Sequence, residues 1–103
     1  MKAIINGKRY DTQTATEIDH YSNQYSRNDF KYYEEGLYKT KAGNWFLKGT
    51  GGPMTKYARP AGNMTTGGPA IIPLSATEAR EWLEHTKNLA ALEEHFGAEM
   101  QDA

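Results

Sequence analysis

The chain contains no cysteine, which excludes a disulfide framework, a thiolate zinc site and a cysteine nucleophile. It also lacks any long apolar run. Near the amino terminus only Ala3-Ile4-Ile5 precede the Asn6-Gly7 turn, too few for a signal-peptide core, and nothing later approaches a membrane span. The expectation is therefore a soluble, cytoplasmic protein. Net charge is nearly absent too, at −1 over 103 residues, so no global attraction draws the chain to nucleic acid or membrane. A further absence is local. Between Gly36 and Ala70 there is no Asp or Glu, only the cations Lys39, Lys41, Lys48, Lys56 and Arg59. From Ile71 onward Arg80 and Lys87 face seven carboxylates. A basic middle and an acidic tail either neutralise each other in the fold or leave a functional basic face.

What is present is organised around Tyr32 to Lys48, which reads as a β-hairpin. Two runs of aromatic and aliphatic residues flank Lys41-Ala42-Gly43-Asn44, a connection whose glycine can take positive φ. Strand alternation puts Trp45 and Leu47 on one face and Phe46 on the other. Likewise Tyr33 and Leu37 oppose Tyr38. Large side chains on both faces predict a sheet covered on one side and adhesive on the other.

Around this hairpin the remaining signals are shorter. Lys2 to Tyr10 predicts a small hairpin turned at Asn6-Gly7. Thr14-Ala15-Thr16-Glu17 matches a capping box and predicts a short helix from Ala15 to about Ser22, burying Ala15, Ile18 and Tyr21. Gly49 to Pro69, with its two Gly-Gly-Pro triplets, reads as a long solvent-facing loop that becomes ordered on meeting a partner. Ile71-Ile72 reads as a last strand. Ser75-Ala76-Thr77-Glu78 is a capping box that opens a helix to about residue 86, with Ala79, Trp82 and Leu83 as its apolar stripe. Leu89, Leu92 and Phe96 mark another helix, which Gly97 is placed to end. The sum is one α+β domain over residues 1–97: a small antiparallel sheet built on the central hairpin, backed by two to three short helices. Residues 98–103 read as a frayed tail.

Motifs for catalysis fail on inspection. Around Lys56 the P-loop order is broken, with Thr55 before it, Tyr57 after it and Pro53 removing an amide donor. Met54 stands where a dinucleotide loop needs its third glycine, although a glycine-rich nest for some anion stays open. Glu34 and Glu35 are strand neighbours on opposite faces and cannot flank one glycosidic bond. His85 and His95, ten residues apart across a helix break, have no recognised ligand spacing. The chain reads as non-enzymatic, with no catalytic residues, metal or cofactor.

Binding has better material. Tyr38, Phe46 and Tyr57 lie among Lys39, Lys41, Lys48, Lys56 and Arg59, a mixture of stacking groups and phosphate partners. These eight residues form the expected partner-binding set. Five cations on phosphates would give a salt slope of only about −4.5 on duplex DNA, and the acidic tail opposes it, so direct nucleic-acid binding should be weak. A larger protein or nucleoprotein complex is the expected partner, and a small nucleic-acid-binding regulator using the same face is the alternative.

Four segments carry a resemblance: residues 6–12, Leu37-Tyr38-Lys39-Thr40-Lys41 with Trp45-Phe46-Leu47, Gly51-Gly52 with Thr55 and Tyr57-Ala58, and Ile71-Ile72-Pro73-Leu74-Ser75 with Glu78-Ala79 and Trp82. Together, over most of residues 4–83, they resemble a family of short bacterial proteins of mobile elements and gut-associated genomes. The resemblance brings no activity and no catalytic residue. It implies a setting of plasmids and phages, whose small proteins include inhibitors of host defence of the anti-CRISPR type.

Overall fold

Asn6 and Gly7 both adopt left-handed backbone, with φ of 52° and 76°, as a type I′ turn requires. They fold β1 (Lys2–Ile5) onto β2 (Lys8–Asp11) as a separate two-stranded sheet. The computed structural model describes all 103 residues. Its central sheet has four antiparallel strands, β3 (Thr16–Ser22), β4 (Tyr33–Lys39), β5 (Trp45–Gly51) and β8 (Gly68–Leu74), in the order β3-β4-β5-β8. Between β5 and β8 a third small sheet pairs β6 (Arg59–Ala61) with β7 (Met64–Thr66). Two helices follow, α1 (Ala76–His85) and α2 (Leu89–Phe96), and then a 3₁₀ turn over Gly97–Glu99. The α+β class and the small sheet with short helices are as the sequence predicts. No helix is long and apolar enough to cross a membrane.

The central hairpin forms as its pattern requires, with Gly43 at φ 92° and Leu37 directly opposite Leu47. Leu37, Trp45 and Leu47 pack on one face against Ala79, Trp82 and Leu83 of α1 and Ala91, Leu92 and Phe96 of α2. Trp45 and Phe96 stack with ring centroids 5.4 Å apart. Phe46 points to the opposite face, where Tyr38 stacks on it and Tyr10 of β2 meets it edge-on. The N-terminal hairpin thus closes one end of the face expected to be open.

Residues 16–22 correct the expected helix. Thr14 and Ala15 amides both donate to the Asp11 carbonyl, forming a turn and no capping box, and Thr16–Ser22 then pairs along β4 as an edge strand. The sheet edge supplies backbone partners that an isolated short helix would lack, and β-branched Thr16 and Ile18 suit it. Ile18 and Tyr21 still pack against the core, as the helical reading also expected. A register irregularity between Glu17 and Asp19 accommodates them.

Helix α1 starts as predicted. Ser75 Oγ accepts from the Glu78 amide at 3.1 Å, and Glu78 Oε1 accepts from the Ser75 amide at 2.8 Å. Its end is less expected. Asn88 N–H bonds the Leu83 carbonyl and Lys87 N–H bonds the Glu84 carbonyl, the paired bonds of a Schellman motif. Lys87 occupies the left-handed position at φ 60°, where glycine is usual. Gly97, expected to be such a terminator, has φ −57° and leads into the 3₁₀ turn. Lys87→Gly should therefore stabilise the fold by up to about 1 kcal/mol, since glycine removes the Cβ penalty at this position. A chemical-denaturation midpoint no higher than the parent's would contradict this.

Candidate functional site

The eight residues expected to bind a partner do not share a surface. Tyr38 and Lys48 lie on the sheet face away from the helices and line one groove there. Phe46 is on that face too, but fully buried beneath Tyr10 and Tyr38. Lys39 belongs to the helix side, its ammonium 5.0 Å from the centre of the Trp45 ring. Lys41 is exposed in the hairpin turn, and Arg59 is exposed in β6. Tyr57 is only 2% exposed, and Lys56 is held in an ion pair. Phe46 and Tyr57 are thus corrections to the expected site: core packing takes both rings, and of the three stacking aromatics only Tyr38 is left.

The groove beside Tyr38 encloses about 170 Å³ and is lined by Glu17, His20, Glu34, Gly36, Lys48 and Thr50 among others. The Tyr32 hydroxyl donates to Glu34 at 2.5 Å, and with help from Arg27, His20 and Lys48 it holds that carboxyl below the usual glutamate range. Two carboxylates interleaved with His20 and Lys48 leave no single-signed field to draw in a polyanion. No three or more His, Asp or Glu side chains are grouped to hold a metal ion. His85 and His95 are apart, packed edge-on to Tyr21 and Trp45 respectively.

The segment from Gly49 to Pro69, expected to be a long loop, holds the end of β5, the β6–β7 hairpin and the start of β8. The Tyr57 hydroxyl donates to Glu35 Oε2 at 2.6 Å, and Lys56 Nζ lies 2.8 Å from the same oxygen. Glu35 Oε1 accepts from Trp82 Nε1 at 2.9 Å. A carboxylate only 2% exposed is thereby satisfied on both oxygens, which the burial of a charge demands. Gly49 lies opposite Glu35 across the β4–β5 pair, and a Cβ there would overlap the Tyr57 hydroxyl.

The two Gly-Gly-Pro triplets meet where β5 ends and β8 begins, with Gly51 opposite Gly68. A Cβ on Gly67 would overlap the Gly51 carbonyl oxygen, and one on Gly52 would stand 2.5 Å from the Phe30 carbonyl oxygen. These glycines serve close backbone approach. Two of the amides that a nest would offer are engaged, Gly52 N–H on the Tyr32 carbonyl and Met54 N–H on the Phe30 carbonyl. The recess beside them, about 350 Å³, is lined by Gly51, Gly52, Gly67 and Gly68 with Arg27, Tyr32 and Glu34, and its one cation, Arg27, already faces Glu34 at 3.8 Å.

Burial and the hydrogen bond from Tyr57 to Glu35 push the Tyr57 phenol well above the ordinary tyrosine value of 10.0, with the Glu35 charge adding to both. A raised folded-state value means that the stabilisation is complete below about pH 10 and is lost as pH rises further. The stability gap between the parent and Tyr57→Phe should thus shrink above pH 10 in denaturant melts. A gap unchanged up to pH 11.5 would contradict this.

One apolar surface remains open. Phe30, Met54 and Met64 are 64%, 61% and 74% exposed, and with Pro53, Thr65 and Thr66 they line a shallow recess of about 610 Å³. Phe30 comes from the turn before β4, Met54 from the turn after β5, and Met64 from the β6–β7 hairpin. A hydrogen bond from the Met54 amide to the Phe30 carbonyl fixes the first two together. Lys31 adjoins Phe30, and Arg59 lies opposite Thr66 in the β6–β7 register. The sequence reading passed over these three apolar residues. Their signal was a lone aromatic in a polar turn and two methionines among glycines and prolines. Glu35 was legible too, since alternation puts it between Tyr33 and Leu37 on the core face. Comparison with family models, curated proteins and solved structures finds no match to this chain.

Proposed function

We propose that this chain is a non-enzymatic interaction protein of the bacterial cytoplasm, docking onto a larger protein or nucleoprotein complex through Phe30 and the β6–β7 hairpin. The observation that carries this reading is the exposed cluster of Phe30, Met54 and Met64 around one recess. Contiguous apolar surface that the fold does not use for its own core marks binding sites, and methionine adapts well to a partner's contours. Lys31 and Arg59 border the cluster, and Asp29, the carboxylate beside Phe30 in the chain, accepts from the Lys31 amide. The complementary surface has an apolar centre with carboxylates facing Lys31 and Arg59. The resemblance to mobile-element proteins supplies the partner class: a bacterial defence complex, blocked as phage-borne anti-CRISPR inhibitors block theirs. The nucleic-acid regulator is the weaker reading, because two of its three stacking rings are buried and Lys56 is paired with Glu35.

The test uses phage challenge of cells with an active defence system, expressing either the parent or Met54→Asp/Met64→Asp. The parent should restore plaque formation and co-purify with a defence subunit, and the variant should do neither. Equal plaque formation and capture with both proteins would overturn the docking surface. Sub-micromolar oligonucleotide binding by the parent at near-physiological salt would favour the regulator instead.

A further inference from the structure

The stretch between Gly52 and Gly67 carries most of the proposed docking surface, yet it is thinly attached. Strands β6 and β7 pair only with each other, and all six of their residues are exposed. Tyr57 is the only buried residue between those glycines. Its hydroxyl ends on Glu35 Oε2, while Glu35 Oε1 holds Trp82 of α1. One buried carboxylate therefore joins this arm to the helix layer, one oxygen to each.

We propose that Glu35 and Tyr57 form a latch that fixes the direction of the 53–66 arm, so that Met64 is held beside Phe30 and Met54 before any partner arrives. The geometry separates the latch from the general core. The hydrophobic cluster under α1 and α2 does not include Tyr57, and Glu35 meets it at Trp82 Nε1, a bond that losing the Tyr57 hydroxyl leaves in place. Gly49 supplies the room: without a side chain it lets the Tyr57 hydroxyl reach the carboxylate. Lys56, its side chain 48% exposed, closes the solvent side of the same oxygen. Glu35 and Tyr57 are positioning residues in this account. The biological benefit rests on the docking function proposed above, because a fixed arm loses less conformational entropy on binding. The latch itself needs no partner to be tested.

Amide hydrogen exchange on the free protein decides it, read segment by segment. Tyr57→Phe keeps the ring and removes one buried hydrogen bond, and should speed exchange in 53–66 by about tenfold. Gly49→Ala, which evicts the ring with every latch group still present, should speed it more. In Tyr57→Phe, β4, β5 and α1 should exchange as in the parent, whereas in Gly49→Ala, whose Cβ also stands 2.9 Å from the Glu34 carbonyl oxygen, α1 should do so. Trp82→Phe removes the donor on the helix side, and should leave the arm within about twofold of the parent. Lys56→Met is the mildest change and should show the Tyr57→Phe pattern at smaller amplitude. Exchange in 53–66 unchanged by Tyr57→Phe would overturn the latch. So would equal acceleration of the arm, β4, β5 and α1, which is the mark of global destabilisation. Neither result bears on whether the patch docks, since that reading fails only in the capture experiment.

Discussion

Leu83→Ala should lower the stability of this domain by about 2–5 kcal/mol. Leu83 is fully buried on the inner face of α1, in a cluster with Trp45 and Leu47 of the sheet and Leu92 and Phe96 of α2. Truncation removes the transfer energy of its side chain and leaves a cavity walled by strands on one side and a second helix on the other. Such walls relax only partly, because the sheet is fixed by its backbone ladder and the helices by their caps. Domains of this size hold roughly 5–15 kcal/mol in total, so the loss is a large share of the whole. Urea or guanidinium melts at neutral pH would measure it. A variant that melts with the parent would mean that α1 is not seated on the sheet as described.

Met54→Asp/Met64→Asp should leave the fold intact and weaken partner binding by about a hundredfold or more. Both side chains are more than half exposed, so their removal takes nothing from the core. At an interface, by contrast, central apolar anchors each contribute on the order of 2 kcal/mol or more. Placing two carboxylates in an apolar patch puts unpaired charge into the contact and adds repulsion to any partner carboxylate facing Lys31 or Arg59. The measurement is a pair of titrations against the captured partner, with a thermal melt of each protein alone. A melt matching the parent together with unchanged affinity would place the interface elsewhere.

The sequence made local features legible and hid those that depend on distant chain. The Asn6-Gly7 turn, the Trp45/Phe46/Leu47 alternation and the Ser75–Glu78 capping box each depend on residues within a few positions, and each appears in the fold. Thr14 to Glu17 also satisfied a local capping rule, but the free edge of β4 offered residues 16–22 a ladder, and tertiary pairing prevailed. The glycine pairs looked like flexibility because nothing near Gly51 announces that Gly67 will press against it. The two-sided hairpin was visible. That Tyr10 would cap Phe46 was not, since the N-terminal hairpin carries no mark of where it docks. For the site, a basic and aromatic composition pointed to residues 38–59. It chose rings that the core claims, whereas the exposed apolar residues are those the core cannot reach.

Hydrogen exchange on the isolated complex, compared with the free protein, tests the central claim most directly. The account predicts new protection at residues 29–31, 53–56 and 63–66, with the Lys39–Asn44 turn and both helices unchanged. Protection confined to the Lys39–Asn44 turn or to the groove of Glu17, Tyr38 and Lys48, with the arm exchanging as in the free protein, would contradict it.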